Sequence, residues 1–194
     1  MTTREDLKVW AALVAVVVGA GLGACASPVN DDKIAALGGE TEGVLEGEFH
    51  RPGQPCVLCH DSYEGASPQM AVGGTIFATP SNPVPVEGVT VTLTDSAGIS
   101  FTKTTNCIGN FFITSDEWTP AFPLRAEIEC PATGAPGETM KRRFVMGTRI
   151  GRDGSCGGCH FQAPSQTSPG WVYCAETMPQ PAYEVSDTCQ GLPR

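Results

Sequence analysis

The most informative feature of the sequence is the presence of two copies of the pentapeptide Cys-x-x-Cys-His, at Cys56–His60 and Cys156–His160. Two thiols one helical turn apart can add to the two vinyl groups on one edge of a haem, and the following imidazole can bind the iron. We therefore expect two covalently bound haem c groups. The expected porphyrin attachments are Cys56, Cys59, Cys156 and Cys159, and the expected proximal iron ligands are His60 and His160.

Paired Cys-x-x-Cys motifs have two other uses, a zinc site of four thiolates and a redox-active dithiol. Zinc ribbons separate their two cysteine pairs by about 15 to 20 residues. Here the intervening segment, 60–155, is far longer, and a histidine follows each pair directly. Both features favour haem.

The distal iron ligands are open. His50 is the only histidine outside the two motifs, and it is a candidate for the distal position on either iron. Met146 is our first candidate for the other iron, because it ends the last predicted strand shortly before the second motif. A thioether ligand would raise the potential of that haem. Met70, Met140 and Met178 are alternatives, as is an open position.

The N-terminus has the features of an export signal. The apolar run Val9–Ala20 has signal-peptide length and is shorter than the roughly 20 residues of a membrane span. The segment Leu22–Cys25 resembles the lipobox of bacterial lipoproteins, which implies removal of residues 1–24 and lipidation of Cys25. The resemblance places the protein in the cell envelope, and Ala26 favours the outer membrane, facing the periplasm or the cell exterior.

Four cysteines remain once haem and lipid are assigned, and we expect them to form two disulfides in an oxidising compartment. They are Cys107, Cys130, Cys174 and Cys189. Three pairings are open. We favour Cys107 with Cys130 and Cys174 with Cys189, because each bond would then staple one local region.

The middle of the chain has a period of two, typical of half-buried strands. Val89, Val91 and Leu93 alternate with threonines, and the segment 124–130 alternates in the same way. Further strands are predicted at Gly74–Ala78, Ser100–Thr104, Asn110–Thr114 and Lys141–Met146. The predicted fold is mainly β, an antiparallel Greek-key β-sandwich of six or seven strands flanked by irregular, short-helix haem-binding segments.

Five segments follow from these patterns. They are the signal peptide 1–24, a flexible tether 25–48, a first haem-binding segment 49–68, the β-sandwich 69–148, and a second haem-binding segment with a disulfide-stapled tail 149–194.

The central strands also resemble a known family. Gly73–Ile76, Val86–Asp95, Thr104–Asn106 and Gly109–Ile113 together resemble carboxypeptidase regulatory-like domains, which implies a transthyretin-like sandwich. That resemblance brings no catalytic residues with it. The whole chain looks like a dihaem c-type cytochrome lipoprotein with such a domain between its haem motifs.

The composition and the motifs disfavour some classes of function. The net charge of -9 disfavours nucleic acid as a partner, and the sequence has no Gly-x-Ser-x-Gly elbow. We expect a non-enzymatic electron carrier that is lipid-anchored to a membrane and exchanges electrons with redox proteins such as other multihaem cytochromes. The alternatives are a haem-based small-ligand sensor or peroxidase-like enzyme, and a surface-binding β-sandwich lipoprotein.

Overall fold

The chain folds mainly into strands, as its two-residue periodicity predicts. The structure is a computed structural model that describes residues 28–39, 44, 47–62, 65–132, 141–162 and 164–176. The predicted signal peptide, the lipidation site Cys25, the candidate ligands Met140 and Met178, and Cys189 lie outside these ranges. The strands are β1 Met70–Phe77, β2 Thr90–Thr94, β3 Ser100–Thr104, β4 Asn110–Thr114, β5 Arg125–Cys130, β6 Arg142–Val145 and β7 Val172–Tyr173.

In the described part of the chain the strands form two sheets. One sheet has the order β4-β1-β7 and the other has the order β3-β2-β5-β6. All neighbouring strands run antiparallel except β1 and β7, where Ile76 pairs with Val172 in parallel. This parallel pair departs from the antiparallel expectation.

Alternation in β2 positions its side chains as the sequence predicts. Val91 and Leu93 are buried, whereas Thr92 between them is only partly buried and lies beside Thr102 of β3, with hydroxyl oxygens 3.3 Å apart. Val91 pairs with Ile128 on the other neighbour, β5. One face of this sheet therefore supplies apolar side chains to the interior.

One hydrophobic cluster contains side chains from both sheets. It joins Val72 and Ile76 of β1 to Val91 and Leu93 of β2. Other members are Ala78, Val86, Val89, Phe111, Ile113, Leu124, Ile128, Cys130 and Cys174. Because strands of both sheets bury residues in the same cluster, this cluster is the main source of hydrophobic stabilisation.

The favoured disulfide pairings are wrong. Cys130 is bonded to Cys174, 44 residues later in the sequence, and this bond excludes both Cys107–Cys130 and Cys174–Cys189. Cys107 is itself disulfide-bonded. The reason is the parallel pairing of β7 with β1, continued by the Cys174 N–H, which donates to the Phe77 carbonyl at 2.9 Å. That pairing returns the tail to the core beside the end of β5.

Helix α1, Pro28–Ala36, lies within the segment that was predicted to be a flexible tether. It belongs to an N-terminal unit separate from the rest of the chain. No helix in the described ranges has the length and apolarity needed to cross a membrane.

Candidate functional site

Each pentapeptide forms a single helical turn. Helix α2 is Cys56–Cys59 and helix α3 is Cys156–Cys159. The N–H of the histidine that ends each motif donates to the carbonyl of the first cysteine, at 3.0 Å for His60 and 2.8 Å for His160. The two cysteines of each motif thus belong to one turn, and the imidazole follows directly.

Both turns pack on strand β1 at the pair Gly73–Gly74. A Cβ atom at Gly73 would lie 3.0 Å from the Cys56 Cβ, and one at Gly74 would lie 2.6 Å from the Cys156 Cβ. Successive residues of a strand face opposite sides. The two motifs therefore approach β1 from opposite faces, and the glycine pair gives them the room to do so.

Each motif also contacts a residue that lies just before the other motif. The Val57 N–H donates to the Ser155 Oγ at 2.8 Å, across 98 residues of sequence. Gly157 packs closely on the backbone that leads into the first motif, so that a Cβ atom at Gly157 would lie 2.6 Å from the Gln54 carbonyl carbon. The Gly73 N–H donates to the Gly154 carbonyl at 3.0 Å, which aligns the chain before α3 with β1. The two motifs therefore lie side by side at β1.

Both motif histidines use Nδ1 in the same way. His60 Nδ1 lies 2.9 Å from the Pro68 carbonyl oxygen, and His160 Nδ1 lies 2.9 Å from the Gly170 carbonyl oxygen. A carbonyl oxygen only accepts, so each Nδ1 carries the proton and donates it. In the neutral form of such a ring, the Nε2 atom has a lone pair that can bind a metal ion.

The surroundings of the two histidines differ. His60 is buried, and the rings of His50 and His60 have their centres 5.7 Å apart. His160 is only partly buried, and its neighbour Cys159 is exposed. The first motif thus has a buried histidine with a second imidazole nearby, whereas the second motif is exposed at Cys159 and partly exposed at His160.

Met146, the other candidate distal ligand, lies beside the sheet β3-β2-β5-β6, whereas both motifs pack on β1 of the other sheet. Met146 directly follows β6, and its N–H donates to the Ala126 carbonyl of β5 at 3.0 Å. Met70 begins β1, and its N–H donates to the His60 carbonyl at 2.8 Å. Met146 therefore stays a sequence prediction without a contact that would favour it.

The four motif cysteines are thiols, not disulfides. Burial raises the pKa of the Cys56 thiol to about 11, with smaller contributions from the nearby Cys59 and Asp153. Burial also raises the pKa of the Cys156 thiol to about 12, and Cys56 and Asp153 add to the effect. Both thiols therefore stay protonated at neutral pH.

No group of three or more His, Cys, Asp or Glu side chains within the described ranges is placed to hold a metal ion. A haem iron needs at most two ligands from the chain, because the porphyrin supplies the other four.

Several residues that build the site were not among those predicted from the sequence. Pro68 and Gly170 provide the carbonyls for the two histidines, and Ser155 links the motifs. A signal was available: a Ser-Pro dipeptide follows each motif at nearly the same distance, at 67–68 and at 168–169. This repeat predicts similar returning loops.

Comparison of the chain with protein-family models, with curated proteins and with solved structures gives no match.

Proposed function

We propose that this protein is a dihaem c-type cytochrome that transfers electrons at the bacterial cell envelope. The observation that carries the proposal is that the two Cys-x-x-Cys-His turns lie side by side, linked by the Val57–Ser155 hydrogen bond, and that each histidine Nδ1 is hydrogen-bonded to a carbonyl. The sequence features of the N-terminus support attachment to the envelope membrane through Cys25.

The residues present fit two haem groups. Cys56 and Cys59 would hold the first porphyrin and His60 its iron, while Cys156, Cys159 and His160 would do the same for the second. Bound haem supplies a one-electron ferric/ferrous couple. The protein supplies covalent attachment, the tautomer of each imidazole, and burial that keeps water from His60.

The raised pKa values of the thiols argue against a redox-active dithiol. Catalytic and redox cysteines have lowered pKa values, about 3.5 to 7.5, so that the nucleophilic thiolate is present. The pKa values of Cys56 and Cys156 move in the opposite direction, because both thiols are withdrawn from water between a helical turn and a strand.

Proximity of the motifs supports passage of electrons from one haem to the other. Cys56 packs on Gly73 and Cys156 packs on the adjacent Gly74. The two porphyrins would therefore be attached at neighbouring points along one strand. The strand and the Val57–Ser155 hydrogen bond would keep those points at a fixed separation.

We also propose that the two sheets form a Greek-key sandwich of the transthyretin-like type. The shared hydrophobic cluster and the sheet orders support this topology. In this view the sandwich is a scaffold, because strand β1 holds both motifs.

The experiment is to produce the protein in a host with c-type haem attachment machinery and to measure its mass and optical spectrum. We expect a mass increase of two haem groups and a reversible reduction of both. Two porphyrins held side by side couple their transitions, so circular dichroism of the Soret band should be bisignate. This feature should vanish when Cys156 and Cys159 are both replaced by serine.

Other outcomes would favour the alternative functions. A ferrous species in which both irons bind carbon monoxide would favour a sensor or a peroxidase-like enzyme. A colourless protein of unmodified mass would overturn electron transfer and leave the surface-binding lipoprotein.

A further inference from the structure

His50 is not part of the first motif, but its ring lies next to the ring of His60. Its ring centre is 5.7 Å from that of His60, with the ring planes inclined by 45°. His50 Nδ1 is hydrogen-bonded to the Gly47 carbonyl, as His60 Nδ1 is to the Pro68 carbonyl. Because a carbonyl only accepts, both rings carry a proton on Nδ1, which leaves Nε2 as the atom of the neutral ring that can bind a metal ion.

The separation of the two rings suits a pair of axial ligands. Two metal–nitrogen bonds of about 2 Å each, in line through one iron, put the imidazole ring centres about 6 Å apart. The observed 5.7 Å is close to that value. We propose that His50 is the sixth ligand of the iron held by His60, and that Asn110 is the residue that positions it. This inference rests on the proposed function.

Asn110, the first residue of β4, ties down the loop that carries His50. Its Nδ2 donates to the His50 carbonyl at 3.0 Å and to the Glu48 carbonyl at 3.3 Å. Its Oδ1 accepts from the Thr75 Oγ1 at 2.6 Å, and that Thr75 oxygen accepts from the Gly53 N–H at 2.7 Å. The loop is thus bonded on both sides of His50 to neighbouring strands β1 and β4.

Apolar packing also holds the same loop, at the residue directly before His50. Phe49 packs on Cys107 and Ile108, in a small cluster separate from the main core. Cys107 is disulfide-bonded, which limits how far that turn can move. A ligand on a loop needs such support, because metal ligands are oriented by the groups around them.

The assignment also makes the two haem sites different. His60 has a second imidazole beside it and is buried, whereas His160 is partly exposed. The first iron is then six-coordinate with two imidazoles, and His50 is not shared with the second iron.

The test uses the full holoprotein with His50→Ala, in which covalent haem is counted and the ferric spin state and carbon monoxide binding are measured. We expect two haems, conversion of one of them from low spin to high spin, and one additional carbon monoxide bound per ferrous protein. Free imidazole should restore the low-spin spectrum. A His50→Ala protein with two haems and an unchanged spectrum overturns the ligand assignment alone. Absence of covalent haem in the unaltered protein overturns the proposed function, and this inference with it.

A second variant covers failure of His50→Ala to retain haem. With His50→Met a thioether replaces the imidazole, so the first haem should stay low spin while its potential rises. An unchanged pair of potentials overturns the assignment.

The positioning role is tested with Asn110→Ala against Asn82→Ala, the same change at an exposed asparagine. Asn110→Ala should give a mixture of high-spin and low-spin first haem that free imidazole returns to low spin. Asn82→Ala should match the unaltered protein. A fully low-spin Asn110→Ala protein overturns the positioning role.

Discussion

The N–H of Val57 donates to the hydroxyl oxygen of Ser155 at 2.8 Å, and this contact links the first Cys-x-x-Cys-His motif and the residue directly before the second into one structural unit. Ser155 is buried, and its own N–H donates to Asp153 Oδ1 at 2.7 Å. Asp153 thereby fixes the residue that meets the first motif. The position of one motif relative to the other is thus set by these two hydrogen bonds as well as by packing on strand β1.

Replacing Ser155 by alanine should weaken this unit. The Val57 N–H would lose its partner, which costs about 1 kcal/mol of the free energy of unfolding. Denaturant unfolding of the holoprotein measures the loss, and the matched control is Ser96→Ala, at an exposed serine. Equal stabilities for the two variants would contradict a structural role for the Val57–Ser155 bond.

The glycine pair in β1 gives a sharper prediction. A Cβ at Gly74 would lie 2.8 Å from the Cys156 Sγ, so Gly74→Ala should push the second motif off the strand. Such overpacking costs about 1–3 kcal/mol. We expect a fraction of the protein to carry a single haem, detectable by mass.

Two further glycine variants calibrate that result. Gly73→Ala should act more mildly and on the first haem, since its Cβ would lie 3.1 Å from the Cys56 Sγ. Gly147→Ala meets nothing within 4 Å and should carry two haems. If Gly74→Ala also carries two haems at full stability, the proposed packing at β1 is wrong.

Local patterns predicted much of the fold. The strands Ser100–Thr104 and Asn110–Thr114 are confirmed with the predicted bounds, because in each strand more buried residues alternate with less buried ones, a pattern that local sequence can predict. Strand β1 was predicted as Gly74–Ala78 but is Met70–Phe77. Its first half is covered on both faces, by the two motifs and by the core, so it shows no alternation.

The site was predictable in its parts but not in its arrangement. A helical turn involves only four consecutive residues, so the spacing within each motif is enough to predict it. The contact of Val57 with Ser155 depends on where a segment 98 residues later returns to β1. The same dependence on the return of the tail explains why the local rule for disulfide pairing failed at Cys130.

Thiol reactivity should follow the environment of each cysteine in protein made without haem. Cys56 and Cys156 have pKa values raised to about 11 and about 12, so their thiolates are scarce at pH 8. Cys159 is exposed and should be alkylated first by iodoacetamide. Mass spectrometry of timed digests measures the order, and faster labelling of Cys56 or Cys156 than of Cys159 would contradict it.

The same two pKa values predict a loss of stability in alkali for the haem-free protein. A thiol whose pKa is raised on folding stabilises the fold fully below the pKa of the unfolded chain, and this contribution is lost as pH rises toward the folded value. The window for Cys56 and Cys156 runs from about 9 to about 12. A Cys56→Ala, Cys156→Ala protein should lose less stability over that range in denaturant titrations.

The Cys130–Cys174 bond should stabilise the fold by linking the tail to the core. Closing a loop of 44 residues removes chain entropy worth about 4 kcal/mol in the unfolded state. Replacing both cysteines by alanine should lower the free energy of unfolding by about this amount and release β7 from β1, since the strand is only two residues long. Unfolding by denaturant gives the first quantity, and hydrogen exchange of the amides at positions 174 and 175 gives the second. Peptide mapping of the unaltered protein that found Cys130 joined to any other cysteine would remove the basis for both expectations.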